Sequence, residues 1–401
     1  MKNKVLATVL CLIVVLSLIV SGCAPQPVAT NEAPATEAAT EPASTEAAIE
    51  MPAGVDPTAA LAKLEGQVFS TGPGGETPTS PSEVTLTADE LAQIKAMNAT
   101  AAIVMHYAGN DWSSAQVAGL QAQFAEMGIE VVAVTDANFK PEKQVSDIET
   151  VMALNPDIIV SIPTDPVATS AAYKAAAAQG IKLVFMDNVP DDMAQGTDYV
   201  SVVSADNYGN GVAAAHLMAK YVNGEGKIGV IYHEADFFVT RQRYEAFKKT
   251  ITENYPGIEI VEEQGITGPD FAGDAEKAAS AMVTKHADLK GIWAVWDVPA
   301  EGVLASARAM GRADLIITTI DLGLNVAVEI AQDGMVKGLG AQRPYDQGVT
   351  EAILAGYGLL GKEAPAYVAL YALPVEKSNV LDAWETVYHA DPPQALADAA
   401  K

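Results

Sequence analysis

The sequence predicts an α/β protein built as two doubly wound parallel-sheet lobes. Three observations predict it. Short apolar runs alternate with Ala-rich helical stretches, a glycine closes each such helix, and polar and aromatic residues gather just after the apolar runs.

The apolar runs include Ala101 to Met105, Ile129 to Val134, Asp157 to Val160, Ile181 to Met186, Lys227 to Tyr232 and Asp314 to Ile320. They do not alternate cleanly between apolar and polar, which is the pattern of strands covered by helices on both faces of a parallel sheet. The helix stops are A-E-M-G-I (Ala125 to Ile129), A-A-Q-G-I (Ala177 to Ile181), A-R-A-M-G (Ala307 to Gly311) and A-Q-D-G-M (Ala331 to Met335). Each puts Gly where the chain needs a left-handed residue after a helix. About ten such strands exceed what one compact open sheet usually holds, hence two lobes.

Ahead of this pattern the N-terminus reads as a secretory signal over residues 1–22. Lys2 and Lys4 precede an apolar run from Val5 to Val20, and V-S-G-C (Val20 to Cys23) follows at once. V-S-G-C resembles a lipobox, in which Cys23 becomes the lipidated first residue. The apolar run is short of the about twenty residues that a membrane span needs. Of the two cysteines, Cys11 would leave with the signal and Cys23 would carry lipid, so no thiol remains for a disulfide, a thiolate metal site or a nucleophile. Residues 23–97 read as a disordered tether with a short pre-domain segment: Ala, Pro, Thr, Glu and Ser dominate up to about Asp56, and Ser70 to Pro81 is punctuated as loop. T-A-D-E (Thr87 to Glu90) reads as a capping box opening a short helix, and folded material is expected from near Asn98.

The formal net charge of −27 would repel nucleic-acid phosphates and anionic headgroups, which leaves a neutral small ligand easier to accommodate. In doubly wound folds ligands bind outside the carboxyl ends of the strands. The residues there are N-D-W (Asn110, Asp111, Trp112), P-T-D (Pro163 to Asp165), D-N (Asp187, Asn188), S-A-D-N (Ser204 to Asn207), W-D (Trp296, Asp297), D-L-G (Asp321 to Gly323) and A-Q-R-P-Y-D (Ala341 to Asp346). Some of these Asp, Asn and Ser residues are helix caps. A cap has no use for an indole, however, and Trp112 and Trp296 sit at strand ends in different halves of the chain. Flat apolar walls with carboxylates, amides and a guanidinium at the rim suit a sugar or polyol, which has C–H faces and many hydroxyls.

Other motifs fail for want of context. G-Y-G-L-L-G (Gly356 to Gly361) continues a helical stretch instead of following a strand, and Y-H-E-A-D (Tyr232 to Asp236) lacks the second His of a zinc site. No metal or cofactor is expected. Strand-end carboxylates could still act as acid and base, so a carbohydrate-active enzyme stays as a weaker alternative.

From about Asn98 to His389 the chain resembles the sugar-binding proteins of bacterial ABC importers, the type I ribose-binding-like group. N-D-W at Asn110, I-P-T-D at Ile162, M-D-N at Met186, S-A-D-N-Y-G at Ser204, T-R-Q-R-Y-E-A-F at Thr240, P-D-F at Pro269, I-D-L-G at Ile320 and A-Q-R-P-Y-D-Q-G at Ala341 carry the resemblance through their order. It implies a type I periplasmic binding protein fold. The lobes would be joined by a three-strand hinge near Ala205, Gln342 and Leu373, an N-terminal lobe of 98–205 plus 343–372 and a C-terminal lobe of 206–342 plus 373–401. It also implies closure of the lobes on a sugar. Asn110 and Trp112 would form one wall and Phe271 or Trp296 the other; Asp187, Arg241, Asp321 and Gln342 would meet hydroxyls. Asn188, Trp296 and Ile162 stand where the ribose binders of the group carry Arg, Asn and Asn, and Ser113 replaces a second aromatic. A deoxy sugar, a pentose isomer or a short polyol therefore fits better than D-ribose.

The expected protein is an extracytoplasmic, lipid-anchored, monomeric solute-binding protein that presents a monosaccharide or polyol to an ABC permease. A sensor that signals to a membrane receptor is the alternative. A sugar-responsive repressor, which shares the fold, is disfavoured by the lipobox and by the lack of a basic helix-turn-helix.

Overall fold

The computed structural model describes residues 54–235 and 237–401. The predicted signal, Cys23 and most of the predicted tether lie outside the described residues. Two short helices come first, α1 (Pro57–Leu61) and α2 (Ala88–Met97). The first lobe then runs β1 (Thr100–Met105), α3 (Asp111–Glu126), β2 (Glu130–Asp136), α4 (Pro141–Met152), β3 (Ile158–Ser161), α5 (Ser170–Ala178), β4 (Lys182–Met186) and β5 (Ser201–Ala205). The second lobe runs α6 (Asn207–Tyr221), β6 (Gly226–His233), α7 (Phe238–Asn254), β7 (Ile258–Ile266), α8 (Phe271–Lys285), β8 (Leu289–Ala294), α9 (Asp297–Ala309), β9 (Ile316–Ile320), α10 (Leu324–Ala331) and β10 (Val336–Ala341). The chain then returns to the first lobe for α11 (Pro344–Leu360) and β11 (Tyr367–Leu370), and ends in the second with β12 (Leu373–Glu376), α12 (Val380–Tyr388) and α13 (Gln394–Ala399).

The sheet orders are β11-β5-β4-β3-β1-β2 and β12-β10-β9-β8-β6-β7. All pairings are parallel except β12 on β10, where the chain enters the second sheet antiparallel from a crossing only two residues long. β1 shows why its sequence is uniformly apolar. Ala101, Ile103 and Met105 enter the core on one face of the sheet, Ala102 and Val104 the core on the other, and none of the five is exposed. The three crossings fall between β5 and α6, between β10 and α11, and between β11 and β12. α11 can lie close on α3 because glycines meet there: a Cβ on Gly119 would stand 2.1 Å from the Tyr345 carbonyl oxygen, and one on Gly348 2.3 Å from that of Gln116.

Ordered structure begins well before Asn98, which corrects the expected start of folded material. Thr87 and Glu90 form the predicted capping box of α2, whose Ile94 is fully buried in the first lobe. Upstream, the Pro- and Gly-rich stretch is a strap across the hinge. Val55 N–H donates to the Asn254 carbonyl, and the Thr71 carbonyl accepts from Gln242 Nε2; Asn254 and Gln242 both belong to the second lobe. Thr79 bridges to β11 of the first lobe, donating to Tyr367 and accepting from Ala369. At the midpoint the Asp206 carboxylate, at the first crossing, accepts from Phe69 N (2.9 Å), Ser70 N (2.8 Å), Ser70 Oγ (2.7 Å) and Gly209 N (2.8 Å). Local composition is poor in apolar residues here, but long-range acceptors supply the order.

Ser70 Oγ also accepts from Tyr208 N at 3.0 Å. Ser70→Ala therefore leaves the buried Asp206 carboxylate and the half-buried Tyr208 N–H each a partner short and should lower unfolding stability by about 1–3 kcal/mol. A chemical-denaturation midpoint identical to that of the unaltered protein would show that the strap carries no load.

Candidate functional site

The cleft between the lobes is lined from strand ends, as a doubly wound fold requires. Asp187 follows β4 and Asp321 follows β9, both with left-handed backbones (φ 56° and 70°). Short polar residues tolerate that conformation better than most. It lets the chain leave the strand abruptly while the N–H stays paired, Asp187 N to the Val203 carbonyl (2.9 Å) and Asp321 N to that of Gly340 (3.1 Å). Asn110 caps α3 through Oδ1, which accepts from Ser113 N at 3.0 Å, and also lines the cleft.

The cavity, partly open to solvent, measures about 100 Å³. Its polar side is held by one buried guanidinium. Arg243 Nε donates to Asn207 Oδ1 (2.8 Å), while Nη1 reaches Asp321 Oδ2 (3.3 Å) and the Val295 carbonyl (3.4 Å). Asp321 Oδ1 accepts from Gln342 Nε2 at 2.7 Å, and Asp187 Oδ1 from Ser204 Oγ at 2.6 Å. Burial pushes the Asp187 carboxyl up to about 6, against the opposing pull of Ser204 and Arg243. His106, at the end of β1, is held down at about 3 by burial, and His233, at the end of β6, at about 4 by burial and Arg243. Both imidazoles are thus neutral near pH 7. Buried His106 Nδ1, Trp112 Nε1 and Gln342 Oε1 have no hydrogen-bond partner among the described residues. Such groups are rarely left unmade in a native protein, so they mark where a ligand's own polar atoms would fall.

The rest of the lining is aromatic. Phe271 lies edge-on to Trp296 at 4.9 Å, and His233 edge-on to both, at 5.5 Å and 5.6 Å. On the first lobe His106 meets Trp112 edge-on at 6.0 Å. Trp112 is also part of the first lobe's core, and Trp296 packs on both cores of the second, so packing and lining are combined in each indole.

Of the residues expected at the site, Asn110, Trp112, Asp187, Asn188, Phe271, Trp296, Asp321 and Gln342 line this one cavity. Two do not. Arg241 is exposed on α7 and absent from the lining; the guanidinium in the cleft belongs to Arg243. Two residues along a helix turn the side chain by about 200°, so the two arginines of T-R-Q-R face opposite ways. The signal was present: Val239, Ala246, Phe247 and Ile251 mark the buried face of α7, and that phase includes 243 and excludes 241. Asp111 is the other. Its Oδ2 accepts from Leu324 N of the second lobe at 2.8 Å, so it ties the lobes together beside the cavity.

Sequence reasoning also missed His106, Tyr107, Phe139, His233, Phe237 and Thr240, all in the lining. The strand-end rule could have found His106, Tyr107 and His233. Of the residues noted as departures, Ile162 gives the cavity an apolar patch, and Ser113 turns away to donate to the Tyr107 carbonyl at 2.7 Å.

Two α/β lobes on a triple crossing, with an aromatic and acidic cavity between them, define a ligand-trapping protein of the two-lobed binding class. The chain belongs to the periplasmic binding protein domain family, which it matches over residues 101–363. It is 25% identical to the ribose import binding protein of Salmonella typhimurium over 291 residues, 72% of this chain and 94% of that one. It is 26% identical to the D-ribose/D-allose-binding protein of Pseudomonas aeruginosa over 226 residues, 56% of this chain and 69% of that one. Among solved structures, an ABC transporter solute-binding protein from Agrobacterium vitis bound with α-D-tagatopyranose superposes with a TM-score of 0.66 at 24% identity, covering 72% of this chain and 99% of that one. A periplasmic solute-binding protein from Actinobacillus succinogenes with bound D-allose gives 0.64 at 22% identity, covering 71% and 99%.

Proposed function

We propose that this protein captures a monosaccharide or short polyol between its lobes and delivers it to an ABC permease, anchored outside the cytoplasm by lipid on Cys23. The observation that carries this reading is the pairing of a polar floor, Asp187 with Arg243, Asp321 and Gln342, with aromatic walls from both lobes. A sugar presents hydroxyls to the first and C–H faces to the second. Relatives named for ribose and allose, and solved structures bound with tagatose and allose, support the same class. Ile162 and the neutral Asn188 leave fewer donors around the Asp187 corner, which favours a deoxy sugar, a pentose isomer or a short polyol over D-ribose.

Thermal shift of residues 54–401 against D-ribose, D-allose, D-arabinose, D-tagatose, allitol and 6-deoxyhexoses tests the reading. A ligand at a hundredfold excess over Kd stabilises by about 2.7 kcal/mol, an easily resolved rise in melting temperature. No response to any pentose, hexose or polyol would defeat it.

A further inference from the structure

We propose that Phe139 is an aromatic gate that sets the largest ligand the closed protein can hold, by walling the sugar cavity off from an outer vestibule. The proposal rests on reading the inner cavity as the ligand site. Phe139 lies in the loop between β2 and α4, and it belongs by chain to the first lobe. Its ring nevertheless packs against the apolar core of the second lobe, 5.6 Å from Phe271 at an interplanar angle of 73°. On its own lobe it is backed by Tyr107, stacked at 4.9 Å, and by His106, edge-on at 5.0 Å.

Two cavities meet at this ring. The inner one is the candidate ligand site, and a second of about 240 Å³ lies outside it, bordered by Asn138, Pro269 and Asp270. Tyr107, Asn110, Phe139, Phe271 and Trp296 line both and form the partition, within which the Phe139–Phe271 contact joins the two lobes. The backbone holds the gate in an uncommon shape. Asn138 and Phe139 are consecutive left-handed residues (φ 49° and 57°), a conformation that a bulky side chain adopts only when its surroundings impose it. Here Asn138 N donates to Asp136 Oδ1 (2.7 Å), Phe139 N to the His106 carbonyl (2.8 Å) and Lys140 N to that of Ala137 (3.0 Å).

Because the two rings ride on different lobes, opening separates them and closing brings them together over the ligand. A single sugar ring is covered. A second ring on the mouth side must displace Phe139, at the cost of the interlobe aromatic contact that completes closure. Without the Phe139 side chain the inner cavity and the vestibule become one cleft, in which Asn138 and Asp270 can meet the hydroxyls of a second unit.

The test compares the unaltered protein with Phe139→Ala and Phe139→Leu, each checked for a native circular dichroism spectrum. The probes are the free sugars of the panel, their benzyl glycosides, and a set of soluble small molecules running from glycerol to disaccharides and nucleosides. The unaltered protein should prefer a free sugar over its benzyl glycoside by about a hundredfold or more, and Phe139→Ala should cut that preference to about tenfold or less. The alanine variant should also release the free sugar about tenfold faster, with the leucine variant between the two. Sugar binding with an unchanged preference in both variants overturns the gate and leaves the sugar reading intact. Binding of non-sugars alone overturns the sugar reading; the gate then stands if Phe139→Ala raises the size of the largest molecule bound, and falls if it does not. An unaltered protein that binds none of the probes overturns both.

Discussion

Arg243→Ala should lower sugar affinity by roughly 10²–10³-fold, while Arg241→Ala should leave it within about twofold. The first change withdraws the only guanidinium that lines the cavity among the described residues and removes the cationic partner of Asp321 at 3.3 Å, leaving it Gln342 alone. Losing two hydrogen bonds from a charged donor to ligand hydroxyls costs about 1.5–3 kcal/mol each, and each 1.4 kcal/mol is tenfold in affinity. The second change touches an exposed side chain that does not line the cavity. Isothermal titration with the best panel ligand reads both. Equal losses would mean that the face of α7 turned to the ligand differs from the one described, and a loss confined to Arg241→Ala would reverse the assignment.

Asp187→Asn should abolish ligand binding yet make the ligand-free protein more stable at pH 7. Burial raises the Asp187 carboxyl from 3.8 to about 6, so between those two values the folded state holds a proton that the unfolded state has released. Stability therefore falls as pH rises through this window, and above pH 6 the whole cost of ionising a buried carboxylate is present, about 3 kcal/mol at 1.36 kcal/mol per unit. An amide bears no such cost. It can still accept from Ser204 Oγ, and Asn tolerates the left-handed backbone at 187 as well as Asp does. The variant should thus melt higher at neutral pH and lose the decline in stability between about pH 4 and 6. In the unaltered protein, ligand affinity should weaken as pH drops below about 6, since a protonated carboxyl no longer accepts from sugar hydroxyls with charge-assisted strength. A variant that melts lower than the parent at pH 7 would show that the carboxylate is not strained by burial. The same group that costs stability would then be an ordinary ion pair.

The residues proposed to meet the sugar differ in legibility. Asp187, Asp321 and Gln342 could be read because they follow apolar runs directly, and a doubly wound sheet sends such positions to its ligand edge. Arg243 required the helical phase of α7, which the apolar positions carry but which a motif match at T-R-Q-R does not. Asp111 looked equivalent to its neighbours Asn110 and Trp112. Only the approach of α10 from the other lobe shows that its carboxylate meets the Leu324 N–H instead of the cavity.

The strap and the gate lay beyond the reach of local pattern. Residues 54–86 carry the composition of a linker, and what orders them is the carboxylate of Asp206, more than 130 residues away, together with the edge of β11. Phe139 sits in a loop whose left-handed residues include no glycine to announce them, and the partner of its ring, Phe271, arrives from the other lobe.

By itself the sequence determined most of the strands and helices, the stops at Gly128, Gly180 and Gly311, the two-lobed plan and the strand-end carboxylates and indoles, because apolar periodicity and capping act within a few residues of chain; at the fourth stop the left-handed residue is Asp333 and not Gly334. Only the tertiary structure decided which arginine faces the cleft, that the linker-like segment binds the hinge, and that a phenylalanine closes the mouth. Those outcomes depend on surfaces brought together from distant parts of the chain, where burial and unmet hydrogen bonds, not local propensity, set the free energy.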